Sequence, residues 1–214
     1  MQIAIPLFDR FTALDAVGPY EVLSRLPGAT VTFVGERTGP VRTDTGALAI
    51  TVDATLDEVD APEVVVVPGG PGTRAMLEPG PLHAWIRSVH PTTQWTTSVC
   101  TGSLILGTAG VLDGLDATTH WGALGALAPL CATAVGDRRI VDQGKVVTAA
   151  GVSAGIDMAL WLAARIAGED VARAIQLGIE YDPQPPFDSG STAKADPALV
   201  DLLRGMVTDP ARAS

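Results

Sequence analysis

An α/β fold built on a mostly parallel sheet is predicted for this chain, and three observations carry the prediction. Short apolar, β-branched runs recur as "IAIPLF", "ATVTFVGE" and "EVVVVPGG", the pattern of strands buried on both faces. Helix-like segments alternate with them, which places helices on both sides of one sheet. No internal repeat or low-complexity tract divides the sequence.

The elements follow in order. "GPYEVLSRL" reads as a helix with Pro19 in its first turn, where the missing N–H costs nothing. "LHAWIRSV", "SLILGTAG" and "HWGALGALA" are the next helical segments, and "TTSVC" is a strand running into the second of them. "RIVDQGKVVTAAG" carries two β-rich pieces around Gln143-Gly144, the signature of a hairpin. Apolar residues at helical spacing then run from Val152 to Tyr181, broken near Gly168-Glu169 into two helices. "YDPQPPFDSGS" is rich in Pro, Gly and Ser and reads as exposed chain. The expectation is one domain over residues 1–214, with 181–195 an extended surface segment and 196–214 a short helix and tail.

Composition excludes several classes. With 214 residues, 47% hydrophobic and 18% charged, the chain can bury one substantial core. A formal net charge of -10 with no basic cluster repels phosphate backbones, so no nucleic-acid partner is expected. The start lacks a basic leader, and Asp157 and Arg165 interrupt the most apolar later stretch, so neither a signal peptide nor a membrane span is expected. Two cysteines, Cys100 and Cys131, cannot build a disulfide framework, which fits a reducing, cytoplasmic setting.

Cys100 stands where a strand turns into a helix, the place in an open parallel sheet where ligands gather. Unpaired N–H groups and the helix dipole there favour an anion, predicting a thiol that ionises below the free value of about 8.5. Gly102 lets the chain bend behind the nucleophile, and oxyanion donors are expected from the Thr101 N–H and from the "PGGPG" loop around Gly70. The competing reading is an inert, buried thiol, and for Cys131 that reading is preferred. His83 and His90 lie on and beside a surface helix without a partner at ligand spacing, so no metal site is expected.

"FTALDAVGPYEVL", "VVVPGGPGT", "SVCTGSLILGTAGVLDG", "ATTHWGAL", "GKVVTAAGVSAGIDMAL" and "IEYDPQPPFDSGS" together resemble the ThiJ/PfpI superfamily, and within it the isonitrile hydratase group. The resemblance implies a flavodoxin-like three-layer sandwich of the class I glutamine amidotransferase type, a homodimer, no cofactor and a small-molecule substrate. It implies a catalytic set of Cys100, Asp15 and Thr101, with Asp15 brought near the thiol. Read alone, Asp15 also fits a helix N-cap and Thr101 a helix start. Threonine at 101 replaces the histidine of protease-like members, which excludes an adjacent Cys-His pair. His120 is expected near the thiol, either as a base or as pocket wall, and Gly151 and Val152 are expected to shape the pocket.

The activity implied is hydration of isonitriles to N-substituted formamides through a covalent thioimidate on Cys100. Deglycase- or glyoxalase-like chemistry on small dicarbonyls, and a ligand- or redox-sensing role, are the alternatives.

Overall fold

The computed structural model describes residues 1–208, so the expected tail at 209–214 lies outside the described residues. The strands are β1 (Gln2–Pro6), β2 (Thr30–Gly35), β3 (Gly39–Arg42), β4 (Ala49–Val52), β5 (Ala54–Thr55), β6 (Val64–Val67), β7 (Trp95–Val99), β8 (Asp116–Ala117), β9 (Thr133–Ala134), β10 (Ile140–Gln143) and β11 (Val146–Ala149). The helices are α1 (Ala13–Leu23), α2 (Pro81–Val89), α3 (Gly102–Thr108), α4 (Leu124–Leu127), α5 (Ala154–Ala167), α6 (Glu169–Gly178) and α7 (Pro197–Thr208).

Seven strands form the central sheet in the order β10-β11-β7-β6-β1-β2-β5. All neighbours are parallel except β10 and β11, the predicted hairpin, which turns at Gly144 with φ 75°. The strand pleat sorts the core into two layers. Ile3, Ile5, Val64 and Val66 face one cluster, which includes Val22, Leu23, Met158 and Leu162 of α1 and α5. Ala4, Val65 and Val67 face the other, with Ile86 of α2 and Ile105 of α3. This is the flavodoxin-like three-layer sandwich, and it explains why β6 reads as uninterrupted valine: both faces are buried.

Two expectations change, and one hairpin is added. The first helix begins at Ala13, not near Gly18, so Pro19 sits in its interior. Pro19 cannot donate to the carbonyl of Asp15, but its ring packs near Gly155 of α5, where an added Cβ would lie 3.3 Å from it. Close helix packing at Gly18 and Gly155 thus offsets the lost bond. The segment after His120 forms α4 flanked by two 3-10 turns, not one continuous helix. A β3–β4 hairpin, which the sequence reading left unassigned, lies between β2 and β5.

The chain divides into two compact units, Met1–Ile179 and a shorter one from Glu180 onward. In the second, residues 180–196 form no helix or strand and are mostly exposed, and α7 follows. No helix among the described residues is long and apolar enough to cross a membrane.

Leu162 is fully buried in the α5 face of the core. Leu162→Ala is expected to destabilise the fold by about 2 to 5 kcal/mol, read as a lower urea midpoint.

Candidate active site

Four segments converge at the carboxyl ends of adjacent strands: the start of α1 after β1, the loop after β6, the elbow after β7 and the turn after β11. Parallel sheets concentrate sites here because every strand delivers its following loop to the same edge.

Cys100 is the first residue after β7 and has φ 57°, a left-handed conformation that costs a non-glycine residue about 1 to 3 kcal/mol. Its backbone is tied on both sides. The N–H donates to the carbonyls of Ala149 (3.0 Å) and Ala150 (3.1 Å), and the carbonyl accepts from the hydroxyls of Thr119 (3.0 Å) and Ser103 (3.2 Å). Gly102 contributes space rather than torsional freedom, since a Cβ there would lie 2.2 Å from the Val67 carbonyl oxygen. The sharp turn is therefore made by the cysteine itself.

Asp15 is completely buried, in the third position of α1. The N-cap is Thr12, whose hydroxyl donates to Asp44 Oδ2 at 2.9 Å, so the capping reading of Asp15 does not hold. Asp15 Oδ2 accepts the Gly69 N–H at 3.0 Å, and the carboxyl interacts with the Cys100 thiol. Oδ1 is buried and meets no other donor.

Burial pushes the Asp15 carboxyl up to about 7, against the pull of the Gly69 N–H and of the thiol. Burial, with Asp15 next, pushes the Cys100 thiol up to about 12, although the Thr101 and Val152 N–H groups both donate to the sulfur. The sequence-based expectation of a thiol ionising below about 8.5 is thus corrected: Cys100 is only 5% exposed, and dehydration outweighs the amide donors. The two groups share one site and titrate together. The carboxyl gives up its proton at about 7 while the thiol keeps its own, so the thiolate forms only as that proton moves to Asp15. With the proton on Asp15, the charge lies on a sulfur faced by two amides.

The remaining predicted residues fall around this pair. Thr101 Oγ1 accepts the Gly70 N–H at 2.8 Å and lies 3.2 Å from the Gly70 carbonyl, which it meets as donor. Gly70 is therefore committed to Thr101 and is not a free oxyanion donor, a correction to the sequence reading. The donors near the sulfur are instead Thr101 N–H and Val152 N–H. Val152 carries φ 36°, an outlier for a β-branched residue. The turn that holds it is clasped by Arg139, whose carbonyl accepts the Ala150 N–H and whose guanidinium bonds Ser153 Oγ and Asp157.

His120 lies over Gly151, where a Cβ would come within 2.5 Å of its ring. Its Nδ1 accepts the Gly122 N–H at 3.2 Å, which assigns the proton of the neutral ring to Nε2. Burial lowers its pKa, so the ring is a neutral wall and a donor through Nε2. Of the other expectations, Cys131 is half-buried, with Sγ 3.5 Å from the Leu127 carbonyl. His83 is buried, not on the surface, because its Nδ1 accepts the Gly80 N–H and ties down the start of α2. Among the described residues no group of three or more His, Cys, Asp or Glu side chains is placed to hold a metal.

Gly69, Ser103 and Thr119 were missed by sequence reasoning. Gly69 and Thr119 act through an amide and a hydroxyl whose partners are far away in sequence, so no local pattern marks them, whereas Ser103 bonds the Cys100 carbonyl three residues back, a contact that a serine in the first turn of α3 could have suggested.

A flavodoxin-like sandwich with a left-handed cysteine after a central strand and a buried carboxyl beside it defines a class of cysteine-elbow α/β proteins. Residues 1–165 match the model of the DJ-1/PfpI family, and the chain belongs to that family. It is 43% identical over 204 residues to the isonitrile hydratase of Pseudomonas putida, covering 95% of this chain and 89% of that protein. A crystal structure of a ThiJ/PfpI family protein from Pseudomonas syringae superposes with a TM-score of 0.93 at 36% identity, covering 97% of this chain and 86% of the other. The helix-turn-helix transcriptional regulator GbdR of Pseudomonas aeruginosa is 29% identical over 191 residues, 84% of this chain and 50% of the regulator.

Two predictions follow from the site. Burial pushes the Asp15 carboxyl up from its ordinary 3.8 to about 7 in the folded protein. Its contribution to stability is therefore full below the lower value and is lost as pH rises through the higher one. Asp15→Asn removes the penalty of a buried charge and is expected to stabilise the fold by about 2 to 4 kcal/mol at pH 8. That gain shrinks towards zero near pH 4, as urea titrations at several pH values will read. Thr119→Val leaves Ser103 alone on the Cys100 carbonyl, and a loss of about 1 kcal/mol is expected. Alkylation of Cys100 by iodoacetamide, followed residue by residue by mass spectrometry, slows several-fold.

Proposed function

We propose that this protein hydrates isonitriles to N-substituted formamides with Cys100 as nucleophile and Asp15 as proton carrier. The observation that carries this reading is the buried Asp15 carboxyl in contact with the Cys100 thiol, burial pushing the carboxyl up to about 7 so that it can hold a proton near neutral pH. The named activity of the Pseudomonas putida relative supports it. So does Thr101, where a histidine would have favoured a different pairing.

An isonitrile carbon becomes electrophilic as it gains a proton, so addition of sulfur and delivery of hydrogen must be coupled. Cys100 as thiolate forms the S–C bond while Asp15 gives its proton to the same carbon, yielding R–N=CH–S–Cys100 and an Asp15 carboxylate. The carboxylate then takes a proton from water as hydroxide adds to the carbon, and passes that proton to nitrogen. Collapse of R–NH–CH(OH)–S–Cys100 forms the formamide carbonyl, expels the thiolate and returns the hydroxyl proton to Asp15. The balance is one isonitrile and one water consumed, one formamide formed, and the starting pair restored.

Backbone donors keep the sulfur charge tolerable in a dry site: the Thr101 and Val152 N–H groups face the sulfur at the start and end of the cycle. Thr101 Oγ1 fixes the Gly70 amide, and Gly69 fixes the carboxyl. His120, neutral and donating through Nε2, walls the space above Gly151. The same reading carries a homodimer, and it carries a reducing, cytoplasmic compartment, for which the two free thiols are the support.

Purified protein is expected to convert a simple alkyl isonitrile to the formamide, measured by mass spectrometry, with methylglyoxal left unconsumed. Cys100→Ala removes turnover; activity surviving it excludes the covalent step. Because the reactive form holds a single proton on the pair, kcat/KM rises with pH up to about 7 and levels off above it.

A further inference from the structure

Two clefts open on the first unit away from Cys100. One, of about 710 Å3, lies at the carboxyl ends of β1 and β2, between the segment after β1 and the turn that opens with Pro71. Leu7, Leu56 and Leu82, all buried, give it an apolar floor, and Arg37 and Arg42 stand on its exposed rim. The second, of about 560 Å3, adjoins it, sharing Glu36 and Leu56. Asp57 and Asp60 line this second cleft beside Trp85, and no Lys, Arg or His lines it.

Volume and placement are those of ligand sites: pockets of about 300–1,000 Å3, at the strand ends of an open parallel sheet. The charges are also uncompensated. Among the described residues, neither Arg37 nor Arg42 has a carboxylate within 4.0 Å, and no cation lies within that range of Glu36, Asp57 or Asp60. Arg42 is nevertheless held in place, since its Nη1 donates to the carbonyls of Gly46 (3.0 Å) and Ala47 (3.4 Å), which leaves the rest of the guanidinium free to bind. Asp9 shares the rim of the first cleft and opposes a second negative charge on a ligand. A monocarboxylate fits this end better than a phosphate or a dicarboxylate does.

We propose that the two clefts form one binding groove for a short peptide or peptide-like zwitterion, separate from the Cys100 site. Its carboxylate pairs with Arg37 and Arg42, its apolar middle lies on Leu56 and Leu82, and its cationic end faces Glu36, Asp57 and Asp60. Both walls of the first cleft lead into the catalytic frame. Gly72 N–H donates to the Arg10 carbonyl (3.1 Å), and Thr12 N–H to the Gly69 carbonyl (2.8 Å), next to the amide that holds Asp15.

The test uses the full-length protein and the tripeptide N-acetyl-Lys-Leu-Leu with a free carboxylate, followed by backbone amide chemical shifts, so its outcome does not depend on isonitrile turnover. Saturable shifts are expected at residues 7–9, 36–42 and 56–60. Converting the peptide to its C-terminal amide, or the protein to the Arg37→Ala, Arg42→Ala double variant, weakens binding about tenfold. The Glu36→Gln, Asp57→Asn, Asp60→Asn triple variant abolishes the preference for lysine over norleucine in the peptide. Circular dichroism of each variant checks that the fold is kept, and an Arg37→Ala single variant, which leaves the Arg42 bonds to Gly46 and Ala47 in place, is expected to weaken binding in the same direction. Absence of saturable shifts, shifts centred on Cys100, or affinity unchanged in the arginine variant overturns the proposal.

Discussion

The contact between the Asp15 carboxyl and the Cys100 thiol is the constraint around which the site is arranged. Both groups are nearly cut off from water, and an unpaired charge in such a place costs several kcal/mol. The molecule meets that cost by allowing the pair one charge near neutral pH and surrounding it with amides: Gly69 on the carboxyl, Thr101 and Val152 on the sulfur. Burial thus creates a proton carrier where an exposed aspartate would simply be ionised.

Keeping these amides in place requires unfavourable backbone. Cys100 and Val152 both lie at positive φ without being glycine. Such conformations persist when the surroundings over-determine them, as they do here. The Ser103 and Thr119 hydroxyls and the Ala149 and Ala150 carbonyls hold the elbow, and Arg139 holds both ends of the Val152 turn. Apart from Ser103, which lies one turn away, these partners are distant in sequence, and the parallel sheet beneath brings them to a common edge.

Much of the architecture was legible because burial on two faces writes itself as uninterrupted apolar strands, as in Val64–Val67, and because Gly144 and Gly168 mark turns that need positive φ. Pro19 shows where local rules fall short. Placing it in a first turn follows from its missing N–H, yet α1 begins six residues earlier, and tight packing against α5 makes an interior proline acceptable. Gly70 shows the same for chemistry: a glycine-rich loop beside a nucleophile invites an oxyanion role, but which amide is free depends on what Thr101 does with its hydroxyl.

By itself the sequence determined the alternation of strand and helix and the cysteine at a strand end, because each is encoded within a few neighbouring residues, whereas Asp15, Thr101 and His120 stood out as its partners only through the resemblance of several separated stretches to a known family. Tertiary structure alone decided the upward shifts of that cysteine and aspartate, the tautomer of His120, and the Thr119 hydroxyl on the elbow. Those properties depend on exclusion of water and on hydrogen bonds between segments from four different strand ends, and neither is a property of any local stretch of chain.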